Sequence, residues 1–175
     1  MKGVLLIMKK LTVKLLAGLM LLMAGGAVLA QTPDLALDQG VKPHAGIDAV
    51  YGTFSEAYRK LDAQMVTDLY SENAAYLEPD APVKFGREEI KKIFAGFFDY
   101  TKNNGNNITI SFRILRRKAN ALMGYDVGIY TIATFKDGQK ISEGQGKFVV
   151  VAVKKGKVWQ FDVDGYSGLR PPEKK

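Results

Sequence analysis

Two short stretches set carboxylates beside aromatic residues at a spacing that could move a proton or anchor a ligand. In Ala74-Ala75-Tyr76-Leu77-Glu78-Pro79 the proline ends an extended run, because the residue before it is held extended and its own ring lacks a ladder donor. Glu78 therefore stands at a strand end, with Tyr76 two residues earlier on the same face. If that face looks into an apolar hollow, burial disfavours the carboxylate and raises its pKa toward the range useful for shuttling protons. If it looks outward, Glu78 is an ordinary solvated strand end. In Val158 to Tyr166, Asp162 and Asp164 alternate with Trp159, Phe161 and Val163, so one face of that strand is apolar and the other bears carboxylates. Asp164 with Tyr166 could reach a cavity mouth as a polar anchor. Equally, both acids could lie on an outer face against solvent or a second subunit. Tyr130 shares its strand face with Asp126, Ile132 and Thr134, and the same two readings apply.

Other chemistries find no residues. His44 is the single histidine and there is no cysteine, which removes His-based metal sites, Ser-His-Asp and Cys-His nucleophiles, and disulfides. No glycine loop suited to phosphate is present, and neither a metal nor a cofactor is implied.

The elements that must position Glu78 and Asp164 follow from periodicity. Ile47, Val50, Tyr51, Phe54, Ala57, Tyr58 and Leu61 recur at helical spacing, predicting a helix from about Gly46 to Leu61. Asp62 is placed to cap a short second helix with Met65, Val66, Leu69 and Tyr70 as its apolar positions. A third helix opens on Glu88 and Glu89, which suit the positive end of its dipole, buries Ile90, Ile93, Phe94, Phe97 and Phe98, and stops at Asn103-Asn104-Gly105. Four strands follow: Ile108 to Arg117, Leu122 to Phe135, Lys140 to Val153 and Val158 to Tyr166. Turns fall at Lys118 to Asn120, Asp137-Gly138 and Lys155-Gly156. Ile108, Ile110, Phe112 and Ile114 share one strand face. The runs Arg116-Arg117-Lys118 and Lys154-Lys155 fall at hairpin ends and read as solvated turns. Helices first and an antiparallel meander last is an α+β pattern, with a curved sheet wrapped around three N-terminal helices like a cone that is open at one end. A pocket there would draw on Tyr51, Phe54, Tyr58, Tyr76, Phe94, Phe98, Asp164 and Tyr166.

The chain of 175 residues is expected to divide into a cleavable signal over 1–30, a flexible leader over 31–45, one domain over 46–169 and a frayed tail over 170–175. Lys2, Lys9, Lys10 and Lys14 accompany an apolar run, Leu15 to Leu29, that is too short and glycine-rich to span a bilayer, and small residues at Val28 and Ala30 suit cleavage after Ala30. The destination is periplasmic or secreted, with no membrane attachment after cleavage. The net charge of +7 then loses those four lysines and no acids, leaving 21 basic against 18 acidic side chains, which is not a nucleic-acid-binding density.

This order of elements resembles the nuclear transport factor 2-like superfamily, which includes SnoaL-like cyclases and ketosteroid isomerases and whose fold is also called cystatin-like. The likeness spans about Gly46 to Leu169. It is carried by Tyr58-Arg59-Lys60-Leu61-Asp62, by Leu69-Tyr70-Ser71-Glu72-Asn73-Ala74-Ala75-Tyr76-Leu77-Glu78-Pro79, by Phe85-Gly86-Arg87-Glu88-Glu89-Ile90, and by Gly156-Lys157-Val158-Trp159 with Asp164 and Tyr166. The resemblance implies a conical pocket for a small apolar or amphipathic molecule, and a homodimer formed through the outer sheet face. It also implies Glu78 as a general base, since the isomerases carry theirs directly before that proline. It departs where the isomerases stabilise an oxyanion: Phe54 stands at the tyrosine position, with Tyr51 and Tyr58 one turn away, and Gly144-Gln145-Gly146-Lys147-Phe148 offers no carboxylate. A steroid isomerase is therefore not implied. The expectation is an exported ligand-binding domain; the alternatives are an isomerase, dehydratase or cyclase using Glu78, and a non-catalytic dimerisation module.

Overall fold

A computed structural model describes residues 34–169. The signal over 1–30, the first three leader residues and the tail over 170–175 lie outside the described residues.

The three helices are α1 (Ala45–Lys60), α2 (Ala63–Thr67) and α3 (Arg87–Asn103), and the strands are β1 (Leu35–Leu37), β2 (Tyr70–Leu77), β3 (Lys84–Phe85), β4 (Asn106–Ala119), β5 (Met123–Lys136), β6 (Gln139–Lys155) and β7 (Val158–Gly168). They form one curved sheet in the order β1-β4-β5-β6-β7-β2-β3 against a helical layer. The expected antiparallel meander is its centre, β4 to β7, but the sheet as a whole is mixed, since β1 joins β4 and β2 joins β7 in parallel. The strand leading to Glu78 starts at Tyr70 rather than Ala74, because Tyr70 already pairs with Phe161.

The flexible-leader expectation is corrected from Asp34 onward. Leu35 is buried and pairs with Phe112, Asp34 pairs with Arg59, and Asp38 pairs with Arg113. His44 caps α1: its Nδ1 accepts from the Ile47 amide at 3.2 Å, and its own amide donates to Asp48 Oδ2 at 2.9 Å. The ring also meets Trp159 edge-on at 4.6 Å, fixing the start of α1 against β7. Asp62 caps α2 as expected, accepting from the Met65 amide.

Alternation sends Ile108, Ile110, Phe112 and Ile114 inward against α1 and α3, but single-residue bulges interrupt it. Ile114 faces Gly128 and Arg116 faces Val127, so Leu115 has no partner on β5. The extra residue exchanges the two faces beyond it and turns Arg117 inward, correcting its reading as part of a solvated turn. Its side chain is 3% exposed and paired with Asp126 Oδ2 at 2.7 Å and Asp48 Oδ1 at 2.5 Å. Desolvation opposes the guanidinium charge, but hydrogen bonds to Asp126 and Asp48 outweigh it and hold Arg117 above its usual value. This triad joins α1, β4 and β5 at the closed end of the cone.

Truncation of Arg117 leaves Asp126 buried and uncompensated, so R117A is expected to cost about 3–5 kcal/mol in urea unfolding. R113A, which removes an exposed partner of Asp38, is expected to leave the midpoint nearly unchanged.

Candidate functional site

The sheet curls past the helices and leaves a cavity of about 290 Å³ between them, open at one end. Its apolar wall is built from the inward faces of β4 (Ile110, Phe112), β6 (Phe148, Val150) and β7 (Phe161), facing Phe54 on α1 and Phe94 on α3. Edge-to-face contacts lock these rings: Phe54 lies 5.6 Å from Phe112 and 5.9 Å from Phe94, and Phe112 lies 5.7 Å from Phe148.

Toward the mouth the wall becomes polar, with Tyr58, Tyr76, Tyr130, Tyr166, Glu78 and Asp164. Asp164 arrives there through a second bulge. Val151 faces Val163 and Ala152 faces Phe161, so Asp162 is the unpaired residue, and Phe161 and Asp164 both point inward. The expectation that Asp162 and Asp164 share a face is corrected. Asp162 instead accepts from the Ser71 hydroxyl on β2 at 2.5 Å.

Asp164 is buried, with the Tyr70 hydroxyl donating to its Oδ2 at 2.6 Å. Burial raises its pKa to about 6 from 3.8, with the Tyr70 bond pulling weakly the other way. The phenols around it are held neutral: burial, then the charge of Asp164, keeps Tyr58, Tyr70, Tyr76 and Tyr130 above the ordinary tyrosine value. Burial pushes Tyr166 up to about 12, with its hydrogen bond to Tyr76 opposing and the charge of Glu78 adding. Tyr51 lines the floor. It is also raised, first by burial and then by Asp126, and among the described residues its hydroxyl meets no acceptor in hydrogen-bonding geometry.

Of the nine residues expected at the site, Tyr51, Phe54, Tyr58, Tyr76, Glu78, Phe94, Asp164 and Tyr166 line this cavity. Phe98 does not; it is fully buried one turn further along α3, against Tyr58 and Phe97, and Phe97 reaches the cavity in its place. Glu78 is half-buried at the rim, just past the end of β2. The inward carboxylate that β6 lacks is supplied by β7 as Asp164.

Tyr130, for which the sequence leaves either strand face open, lines the cavity. Its ring lies flat over Gly146 on β6, where any added Cβ would collide with it, so the glycine is what lets this phenol join the wall. Gly128 serves Phe148 likewise, since a Cβ there would come within 2.6 Å of that ring.

The family of SnoaL-like domains matches residues 47–167. Among solved structures, the chain is similar to a candidate calcium/calmodulin-dependent protein kinase II association domain from Xanthomonas campestris, at 24% identity and a TM-score of 0.60 over 82% of this chain and 97% of that one. It is similar to a nuclear transport factor 2-like protein with a cystatin-like fold from Novosphingobium aromaticivorans, at 11% identity and 0.62 over 74% and 83%. It is also similar to a ketosteroid isomerase-like protein from Erwinia carotovora, at 16% and 0.56 over 73% and 96%. These likenesses establish the fold. No curated protein matches the chain.

A carboxyl raised by burial favours folding when protonated, so the contribution of Asp164 is whole below about pH 4 and is lost as pH rises through about 6, a swing on the order of 3 kcal/mol. Asn at this position still accepts from Tyr70 but does not titrate. The stability of D164N relative to the parent protein is therefore expected to rise by roughly 3 kcal/mol between pH 4 and 7 in denaturant titrations. A difference that stays flat with pH would rule out the burial argument.

Proposed function

We propose, on the premise that this chain belongs to the family of SnoaL-like domains, that it is a small-molecule-binding domain whose cone holds one compact apolar or amphipathic ligand. The observation that carries this reading is the unfilled space itself. Seven aromatic and aliphatic side chains from five elements leave about 290 Å³ unfilled between them, at the open end of the cone. A domain with no use for the space would be stabilised by a larger side chain at Val150. The volume lies near the lower end of small-molecule pockets, which suits a ligand of one or two rings.

We further propose export with cleavage after Ala30, and self-association through the outer sheet face, where Val127 and Val149 are exposed. Native mass spectrometry of protein recovered from the periplasm reads all three proposals together. The expected species is a dimer of chains starting at Gln31, carrying one extra small mass per chain. V150F, which fills the cavity, is expected to lose that mass while keeping the dimer. Identical spectra for the two proteins would sink the ligand reading.

A second reading, proton-transfer catalysis of the isomerase or dehydratase kind, is favoured by one observation: two carboxyl groups face the same cavity, and burial brings Asp164 to about 6. That supports Asp164, with or in place of Glu78, as the group that exchanges a proton. In a turnover screen E78Q and D164N are each expected to lower activity by a hundredfold or so, the usual range for loss of an acid or base. Activity retained by both variants would exclude this chemistry.

A further inference from the structure

The polar part of the cavity wall is electrically one-sided. Two carboxylates, Asp164 and Glu78, face the space, while no lysine, arginine or histidine lines it among the described residues. Arg117, the buried cation nearest the floor, is already committed to Asp126 and Asp48. Asp164 takes one hydrogen bond at Oδ2 from Tyr70, and among the described residues its Oδ1 meets no side-chain donor. The rest of that end is aromatic. Tyr166 packs against Tyr76 at 5.7 Å and Tyr130 at 6.1 Å, and Tyr58 stacks on Phe54 at 5.2 Å.

Each feature selects a charge. An anionic ligand would meet two like charges in a site of low dielectric. A neutral ligand could offer Asp164 one hydrogen bond but would leave the buried charge uncompensated. A cation neutralises it, and it is also drawn to the electron-rich faces of the rings, as quaternary ammonium groups are in aromatic cages.

We propose that the ligand is an organic cation: a compact apolar body bearing one ammonium group, which seats among Tyr58, Tyr76, Tyr130 and Tyr166 and against Asp164 and Glu78, with the body against the phenylalanine wall. This rests on the reading of the cavity as a ligand site, and sharpens it. Ligand charge also sets a pH response. A bound cation holds Asp164 ionised, so its binding weakens as Asp164 gains a proton below about pH 6. The phenols facing Asp164 are Tyr51 and Tyr58 from α1, Tyr70 and Tyr76 from β2, Tyr130 from β5 and Tyr166 beside it on β7, and Glu78, past the end of β2, is the one other charged group that lines the cavity among the described residues. Held neutral, the phenols add no competing titration in that range.

The test is calorimetric titration of the full mature chain with three probes of one shape: benzyltrimethylammonium, its neutral carbon isostere neopentylbenzene, and phenylacetate. At pH 7.5 the ammonium is expected to bind about tenfold tighter than the isostere, and phenylacetate not at all. Between pH 6 and pH 4.5 the ammonium affinity should fall by about fifteenfold in all, following the ionised fraction of Asp164, while the isostere, which has no charge to couple, stays constant. D164N should flatten that fall, whereas E78Q should leave it in place. The pH series on the unaltered protein gives the same answer should the variant fail to fold. Neutral binding equal to or tighter than ammonium binding, or binding of phenylacetate, overturns the cation assignment and leaves the ligand site standing. If none of the three probes binds, and V150F matches the parent protein throughout, both readings fall.

Discussion

A strand shows its side chains alternately to two faces, so one residue inserted without a partner exchanges the faces for everything beyond it. This domain uses that constraint twice on its concave surface. Leu115 is the extra residue on β4, and beyond it Arg117 turns inward to meet Asp126 on β5. Asp162 is the extra residue on β7, and beyond it Asp164 and Tyr166 turn inward to the cavity. Without the first bulge the closed end of the cone would bury Asp126 with no cation. Without the second, the cavity would be an apolar hollow with no carboxylate from the sheet. The bulges also strengthen the local bend, so curvature and polarity of the site come from the same insertions.

The two buried aspartates are treated in opposite ways. Asp126 receives a two-pronged guanidinium and is electrically complete within the protein. Asp164 receives one phenol, which shares a proton but brings no positive charge. Tyr51 lies between them, its ring packed on Phe112 and Phe161 and its hydroxyl held neutral by burial and by Asp126. The cone thus has one buried aspartate paired with a cation and one that is not, and the second borders the cavity. A buried ion triad where the helix meets the sheet supports the fold, whereas a carboxylate raised by burial makes the fold less stable at neutral pH than in acid.

Periodicity and turn chemistry made most of this architecture legible before any coordinates. The stripe from Ile47 to Leu61, the cap at Asp62, the helix of Phe94 and Phe98 and the three hairpin turns lie within a few residues of where they were expected. Their signals are local, and local rules suffice for them. Of the eight candidate site residues that line the cavity, Tyr51, Phe54, Tyr58 and Phe94 do so for the related reason that aromatic stripes on helices have to face inward. What escaped was long-range. Alternation read straight through Leu115 and Asp162, because a bulge is recognised by the partner strand and not by its own residues. The edge strand β1 escaped because three residues borrowing a ladder from β4 carry no period of their own. Phe97 and Phe98 both belong to the predicted stripe and both pack on Tyr58, and periodicity alone does not separate the ring that borders the cavity from the one buried beside it.

Rigidity of the wall follows from the same packing. Tyr130 lies over Gly146 and Phe148 over Gly128, each ring filling the space a Cβ would need. Neighbouring rings hold them edge-on, Phe148 against Phe112 and Tyr130 against Tyr166. Preorganisation of this kind removes the ordering cost that usually offsets binding in a flexible aromatic pocket. Among the described residues the Oδ1 of Asp164 meets no side-chain donor, and Glu78 stands at the rim, so under the proposed reading a ligand's polar group is oriented by a carboxylate that the sheet turns inward through a single unpaired residue.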